Sequence, residues 1–191
     1  IGCGKGRHTA ELFSRGYTNI SGYDFSERNI SDAKTLYPEA AAQFSVADCR
    51  SLCLKKKTDV ALCLYDVIGS FPEEKQNIKI LHTLYRLLRK GRKVIVSVMN
   101  RELTENIAKN KFDVYAQPKK LFKMKASDIM QNTGNIFDPD YFIIDTNTKT
   151  VFRKEMFRGD GLLDSEYIVR DRRYTMDEIC SLLEHEGFII L

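Results

Sequence analysis

"IGCGKGRHTAEL" (residues 1–12) sets Gly2, Gly4 and Gly6 at alternate positions directly before a helix-like run. Glycine serves where the backbone takes positive φ or approaches another group closely, so the spacing predicts a tight strand-to-helix turn pressed against a ligand. A helix cap is the plainer alternative. "GYDF" (22–25) follows with Asp24 at the end of the next apolar run. A carboxylate about 20 residues beyond a glycine turn can bridge the two hydroxyls of a ribose.

Working outward, helix and strand patterns alternate. Ala10, Leu12 and Phe13 form the apolar side of a short helix that Gly16 ends, and "NISGYDF" (19–25) reads as a buried strand. "SERNISDAKTLYP" (26–38) is a helix opened by Ser26 and closed before Pro38. "QFSVAD" (43–48) is a short strand and "DVALCLYD" (59–66) a nearly continuous apolar one, as a parallel strand covered on both faces requires. Ile78, Leu81, Leu84 and Leu88 recur at helical spacing after Pro72, with Gly91 as the expected stop, and "KVIVSVM" (93–99) is the next central strand. This order predicts a doubly wound, mostly parallel α/β sheet with right-handed crossovers.

The pattern changes after Asn100. Residues 101–135 are basic and lack a clear period, whereas "YFIIDTNTKTVFRKEMF" (141–157) reads as two strands around a turn and "SEYIVRDRRYT" (165–175) as another. A β-rich insertion of this kind is expected beside the carboxyl ends of the sheet, as a lid. Regular order resumes at "YTMDEICSLLEHEGF" (174–188), where Thr175 and Glu178 match a capping box and Gly187 ends the helix. The chain opens inside a turn and stops at "GFIIL", which reads as a strand beginning, so both ends are expected to be truncated.

The 191 residues fit one domain, with a core at 1–100, the insertion at 101–165 and a return to the core at 166–191. A hydrophobic fraction of 43% and a charged fraction of 29% leave little room for long disorder. No apolar run approaches the roughly 18 residues of a membrane span, so no membrane role is expected. The five cysteines are odd in number and form neither CxxC nor Cys/His zinc spacing, which predicts reduced thiols in a cytoplasmic setting and no metal. The net charge of +4 is mild; its lysines cluster at 55–57 and in "KNKFDVYAQPKKLFKMK" (109–125). Such runs are usually solvated faces, but interleaved Phe112, Tyr115, Phe122 and Met124 keep a nucleic-acid surface open.

The dinucleotide fingerprint needs a glycine where Arg7 stands, which argues against NAD. "VADCR" (46–50) ends the third strand with Asp48, suited to accept from an adenine amino group, with the neighbouring Cys49 backbone N–H a candidate donor to the ring; helix capping is the alternative for Asp48. Taken in order, "IGCGKGR", "GYDFS", "VADCRSL", "VALCLYDVIGSF", "LLRKGRKVIVSV" and "RRYTMDEICSLLEHEGF" resemble class I S-adenosylmethionine-dependent methyltransferases of the small-molecule type with an antiparallel lid. The likeness implies a Rossmann-like fold and S-adenosyl-L-methionine as cofactor. It implies that Gly2, Gly4 and Gly6 let the backbone pass the methionyl part, that Asp24 holds the ribose, and that Phe25 and Cys49 flank the adenine. Leu64 and Tyr65 would lie under the methyl-bearing sulfur, and Cys3, Ser26 and Arg50 would complete the cofactor shell.

A sulfonium already activates its methyl group, so alignment is the main requirement and contributes about 7–11 kcal/mol in well-oriented systems. Asp66, after the fourth strand, is the first candidate for catalytic contact with the substrate. Tyr65 is a candidate to line the transfer channel, and His8 is a candidate base. Arg170, Arg173 and Tyr174 are candidates to hold an anionic substrate, with salt bridging at a strand end as the plainer role. After the fourth strand the chain reads "YDVIGSF" rather than the Pro-Pro-aromatic element of amino-methylating base enzymes, and no cysteine neighbours a proline as in cytosine C5 enzymes. The expectation is methyl transfer to oxygen or nitrogen of a small molecule. An RNA methyltransferase using the basic insertion and a non-catalytic cofactor-binding module are the alternatives. Neither the acceptor nor the oligomeric state is legible.

Overall fold

The computed structural model describes residues 1–127, 142–159 and 162–191. It divides into two compact units, one of residues 1–68, 75–98 and 182–191, the other of 69–74 and 99–181.

In the first unit, α1 (Arg7–Ser14) starts from Gly6, which is left-handed, so no side chain caps it. Then come β1 (Gly22–Asp24) and α2 (Glu27–Leu36), whose N-terminus is closed by Ser26 Oγ accepting from the Asn29 N–H at 3.2 Å. A 3-10 turn over Pro38–Gln43 leads to β2 (Phe44–Val46), and β3 (Thr58–Cys63), α3 (Glu74–Leu87) and β4 (Leu88–Val96) come after it. Strands β1 and β2 pair in parallel, as do β3 and β4. The Ile1 nitrogen donates to the Leu62 carbonyl at 2.8 Å and the Cys3 N–H to the Tyr23 carbonyl at 2.9 Å. Residues 1–3 therefore run between β1 and β3, and the order reads β2, β1, residues 1–3, β3, β4. Strand order reverses between residues 1–3 and β3, the place where α/β sheets bind ligands.

Ala10, Ile30, Ala33, Ala40 and Phe44 form the core of α1, α2 and β2, with Cys3, Phe13 and Tyr37 packed against it. Burying a side chain of the size of Phe44 contributes about 1.5–3 kcal/mol.

The second unit contains α4 (Arg101–Ile107), β5 (Asn110–Phe112), α5 (Pro118–Phe122), β6 (Phe142–Asp145), β7 (Thr150–Gly159) and β8 (Leu162–Arg172). The four strands form one sheet in that order; β5 and β6 pair in parallel and the other pairs are antiparallel. Strand β6 is buried on both faces. Phe142 and Ile144 pack with Ala108 and Val151, while Ile143 packs with Val114, Leu121 and Phe152. The turn after β6 is held by Asp145, whose carboxylate accepts from the Val114, Asn147 and Thr148 N–H groups at 2.7–3.1 Å. Burial pushes the Asp145 pKa up, but the Thr148 N–H and its companions outweigh that and leave it below the ordinary value. Helix α6 (Met176–His185) opens with the expected capping box: Thr175 N–H donates to Glu178 Oε2 at 3.0 Å and Glu178 N–H to Thr175 Oγ1 at 3.2 Å.

Three expectations need correction. Gly91 does not stop α3, which ends at Leu87 and passes straight into β4; Gly91 lies where the pairing shifts from Thr58↔Leu88 to Val60↔Lys93, so it absorbs extra residues in a strand. "GFIIL" forms no strand; Phe188 instead stands edge-on to Tyr85 with ring centroids 5.4 Å apart. The aperiodic span 101–127 holds α4, β5 and α5, elements too short to show a period, whereas 128–141 of the expected insertion lies outside the described residues.

Candidate active site

The site is built on the glycine loop of the first unit. The Gly4 N–H donates to Asp24 Oδ2 at 2.8 Å, and Asp24 Oδ1 accepts from the Ser26 N–H at 3.0 Å and from Asn29 Nδ2 at 3.4 Å. Asp24 is only 7% exposed, so these donors offset the cost of burying its charge. They also lock the carboxylate between the glycine loop and the start of α2.

The three glycines differ in what requires them. A Cβ on Gly2 would come within 2.3 Å of Val67 Cγ2, and one on Gly6 within 2.6 Å of the Phe44 ring, so both glycines serve packing inside the protein. Gly4 meets nothing within 4 Å and has φ +53°, which leaves its face open to a ligand. Phe25, next to Asp24, is 79% exposed, so its ring is uncovered.

Asp48 and Arg50 are joined by Arg50 Nη2 to Asp48 Oδ2 at 2.6 Å and Nε to both oxygens at 3.0 Å. The Arg50 guanidinium holds the Asp48 carboxyl below the usual carboxylate range. Asp48 is thus engaged by a neighbouring residue of the same candidate set. Cys49 is half-buried, and burial followed by the Asp48 charge pushes its thiol up.

Beyond β3, Leu64 is half-buried and Tyr65 is 73% exposed. Tyr65 and the half-buried Asp66 both have φ of 65°, a left-handed conformation rare outside glycine. The Tyr65 N–H donates to Ser97 Oγ at 2.8 Å, and the Ser97 N–H donates to the Cys63 carbonyl at 3.1 Å. Ser97 and Val67 carry no motif that marks them in the sequence. Their signal is position: each lies beyond the carboxyl end of a strand, where sites of this fold form. A groove of about 1110 Å³ begins at Gly2, Gly4 and Tyr65 and continues past Leu12 and Val60 to Thr58 at the start of β3. Only its glycine-loop end lies at the carboxyl ends of the strands.

His8 is exposed in the first turn of α1. His82, on α3, lies 3.2 Å from Glu186. In the second unit, Arg170 is exposed, but Arg173 is wholly buried. Its Nε donates to Asp171 at 2.9 Å, its Nη1 to Thr104 at 2.7 Å, and its guanidinium lies 4.6 Å over the Phe142 ring. Tyr174 is 1% exposed with Arg172 stacked over it, so Arg173 and Tyr174 serve the interior of this unit.

Residues 1–91 match a family model described as a methyltransferase domain. Among solved structures, the chain is similar to an S-adenosylmethionine-dependent methyltransferase from Clostridium acetobutylicum (TM-score 0.65, 16% identity, all of this chain and 72% of that one). It is also similar to the CcbJ methyltransferase of Streptomyces caelestis (TM-score 0.67, 15% identity, 97% and 70%). A third is the glycopeptide N-methyltransferase MtfA complexed with S-adenosyl-L-methionine (TM-score 0.60, 12% identity, 100% and 70%). At these identities the likeness is one of fold. No curated protein matches the chain in sequence.

Proposed function

We propose that the chain is a class I S-adenosylmethionine-dependent methyltransferase and that it transfers the methyl group to an oxygen or nitrogen of a small molecule by in-line displacement. The observation that carries this reading is the Gly4–Asp24 hydrogen bond beside an open Gly4 face and the exposed rings of Phe25 and Tyr65. These residues fit the cofactor: a buried carboxylate with lone pairs left for ribose hydroxyls, a bare backbone for the methionyl part, and an uncovered aromatic face for the adenine. Asp48 and the Cys49 N–H would complete the adenine end.

The bound cofactor supplies an activated methyl on a sulfonium. The chain's own residues then have to orient the acceptor and exclude water, which Tyr65 and Asp66 would do at the carboxyl end of β3. Asp66, in the turn after β3, would be the group to take a proton from an acceptor hydroxyl or ammonium, a role that adds roughly 100- to 10,000-fold where it operates. That a protein of similar fold methylates a glycopeptide nitrogen supports a small-molecule acceptor. Among the described residues no helix is long and apolar enough to cross a membrane, and Cys3, Cys49, Cys53, Cys63 and Cys180 are all free thiols, which fits a cytoplasmic enzyme.

A second reading, RNA methylation, is favoured by the second unit's surface. Lys111, Lys119, Lys120, Lys123 and Lys125 are exposed, as are Tyr115 (61%) and Phe122 (63%). Titration calorimetry with S-adenosylhomocysteine, with NAD as control, tests the common premise; absence of binding would overturn it. Product release over a panel of amines and alcohols then tests the acceptor, and a steep salt dependence of RNA binding would favour the second reading.

A further inference from the structure

We propose that Ser97 is a positioning residue for the methyl-transfer mouth. Resting on the cofactor reading above, its hydroxyl holds the Tyr65–Asp66 turn so that the Tyr65 ring favours the sulfonium cofactor over its neutral thioether product. Two consecutive non-glycine residues at φ 65° form a conformation the chain leaves unless something over-determines it. Ser97 supplies that restraint. Its Oγ accepts the Tyr65 N–H at 2.8 Å while its own N–H extends the β3–β4 ladder to Cys63 at 3.1 Å, so the hydroxyl is fixed to the sheet. A serine carrying both bonds ties the end of β4 to the last residue of β3 and to the turn that follows it.

The turn also positions Val67 and Ile68. Ile68 is fully buried, and Val67 stands where a Gly2 side chain would have to go, 2.3 Å from that Cβ position. The same reversal therefore sets the floor beneath the glycine loop and leaves the Tyr65 ring 73% exposed at its edge. A cation is attracted to the face of such a ring and a neutral thioether is not, which makes the ring's placement readable as a ratio of two affinities.

The test measures S-adenosylmethionine and S-adenosylhomocysteine binding by calorimetry in wild type, Ser97→Ala, Ser97→Thr and Tyr65→Leu, with hydrogen exchange of the Tyr65 amide in the free protein. Ser97→Ala should weaken the sulfonium ligand roughly tenfold while moving the thioether less than about threefold, and should speed exchange at Tyr65. Ser97→Thr keeps the hydroxyl and should keep the ratio; Tyr65→Leu should lose it with Ser97 intact, which reads the ring even where Ser97→Ala does not fold. An unchanged ratio in either Ser97→Ala or Tyr65→Leu, or an equal loss of both ligands, overturns the proposal. Failure of wild type to bind either ligand overturns the cofactor site itself, a distinguishable result.

Discussion

Gly4 and Asp24, twenty residues apart, meet through a 2.8 Å hydrogen bond from the glycine amide to a carboxylate that is 7% exposed. The acidic residue is thus a structural clamp on the glycine loop.

Asp24→Ala removes the acceptor of the Gly4 and Ser26 amides together. The cost expected is about 1–3 kcal/mol, together with loss of S-adenosylhomocysteine affinity. Asp24→Asn, which keeps one carbonyl oxygen, should fall between. Urea unfolding and calorimetry on the same samples check this; full stability in Asp24→Ala contradicts the clamp.

The glycine loop should separate packing from binding. Gly6→Ala drives a methyl to 2.6 Å from the Phe44 ring and 3.0 Å from Ala33, so it should destabilise by roughly 1–3 kcal/mol. Gly4→Ala meets no protein atom and bears only its left-handed strain, about 1–2 kcal/mol, yet should abolish cofactor binding. Thermal melts beside titrations decide it; Gly6→Ala melting with wild type would refute the packing role.

Alkaline pH should weaken the fold through two thiols. Burial, with the Asp24 charge adding to it, pushes Cys3 up to about 11, and burial pushes Cys63 up to about 12, against an ordinary 9.0. Between those values the unfolded chain has released protons the folded chain still holds. The contribution is therefore intact below about pH 9 and declines as pH rises toward 11–12, by at most about 1.4 kcal/mol per pH unit for each thiol. Urea midpoints from pH 8 to 10.5 should fall, and fall less in Cys63→Ala; equal slopes would count against it.

Arg173 should matter to folding rather than to the acceptor. It is wholly buried against Asp171, itself 2% exposed, so Arg173→Met leaves that carboxylate with Arg153 alone, at 3.4 Å, and should cost up to about 3–5 kcal/mol. Pairing it with Asp171→Leu should recover much of the loss. Denaturant curves for the two variants test this, and a harmless Arg173→Met would show the pair to be dispensable.

Acidic unfolding should draw on Asp48. Its carboxyl is held below the usual range by the Arg50 guanidinium, so its contribution is present above the ordinary carboxylate pKa and lost as pH falls through the lowered one. Arg50→Gln should shift the acid midpoint toward neutral pH, read by circular dichroism; an unmoved midpoint would mean the half-buried pair is thermodynamically silent.

The sequence by itself determined the elements whose cause is local. The glycine turn, the Ser26 cap, the Thr175–Glu178 capping box and the alternation of helices with apolar strands all arise from neighbours a few residues apart, and each is present in the fold. It also placed Asp24 and Tyr65 at strand ends. Tertiary structure decided what those residues meet: Asp24 clamps Gly4, Gly6 accommodates Phe44, Asp48 closes on Arg50, and Ser97 takes the Tyr65 amide from 32 residues away. It alone showed Arg173 turned into the core, because burial of a charge depends on partners from distant segments, here Thr104 and Phe142, that no local pattern announces.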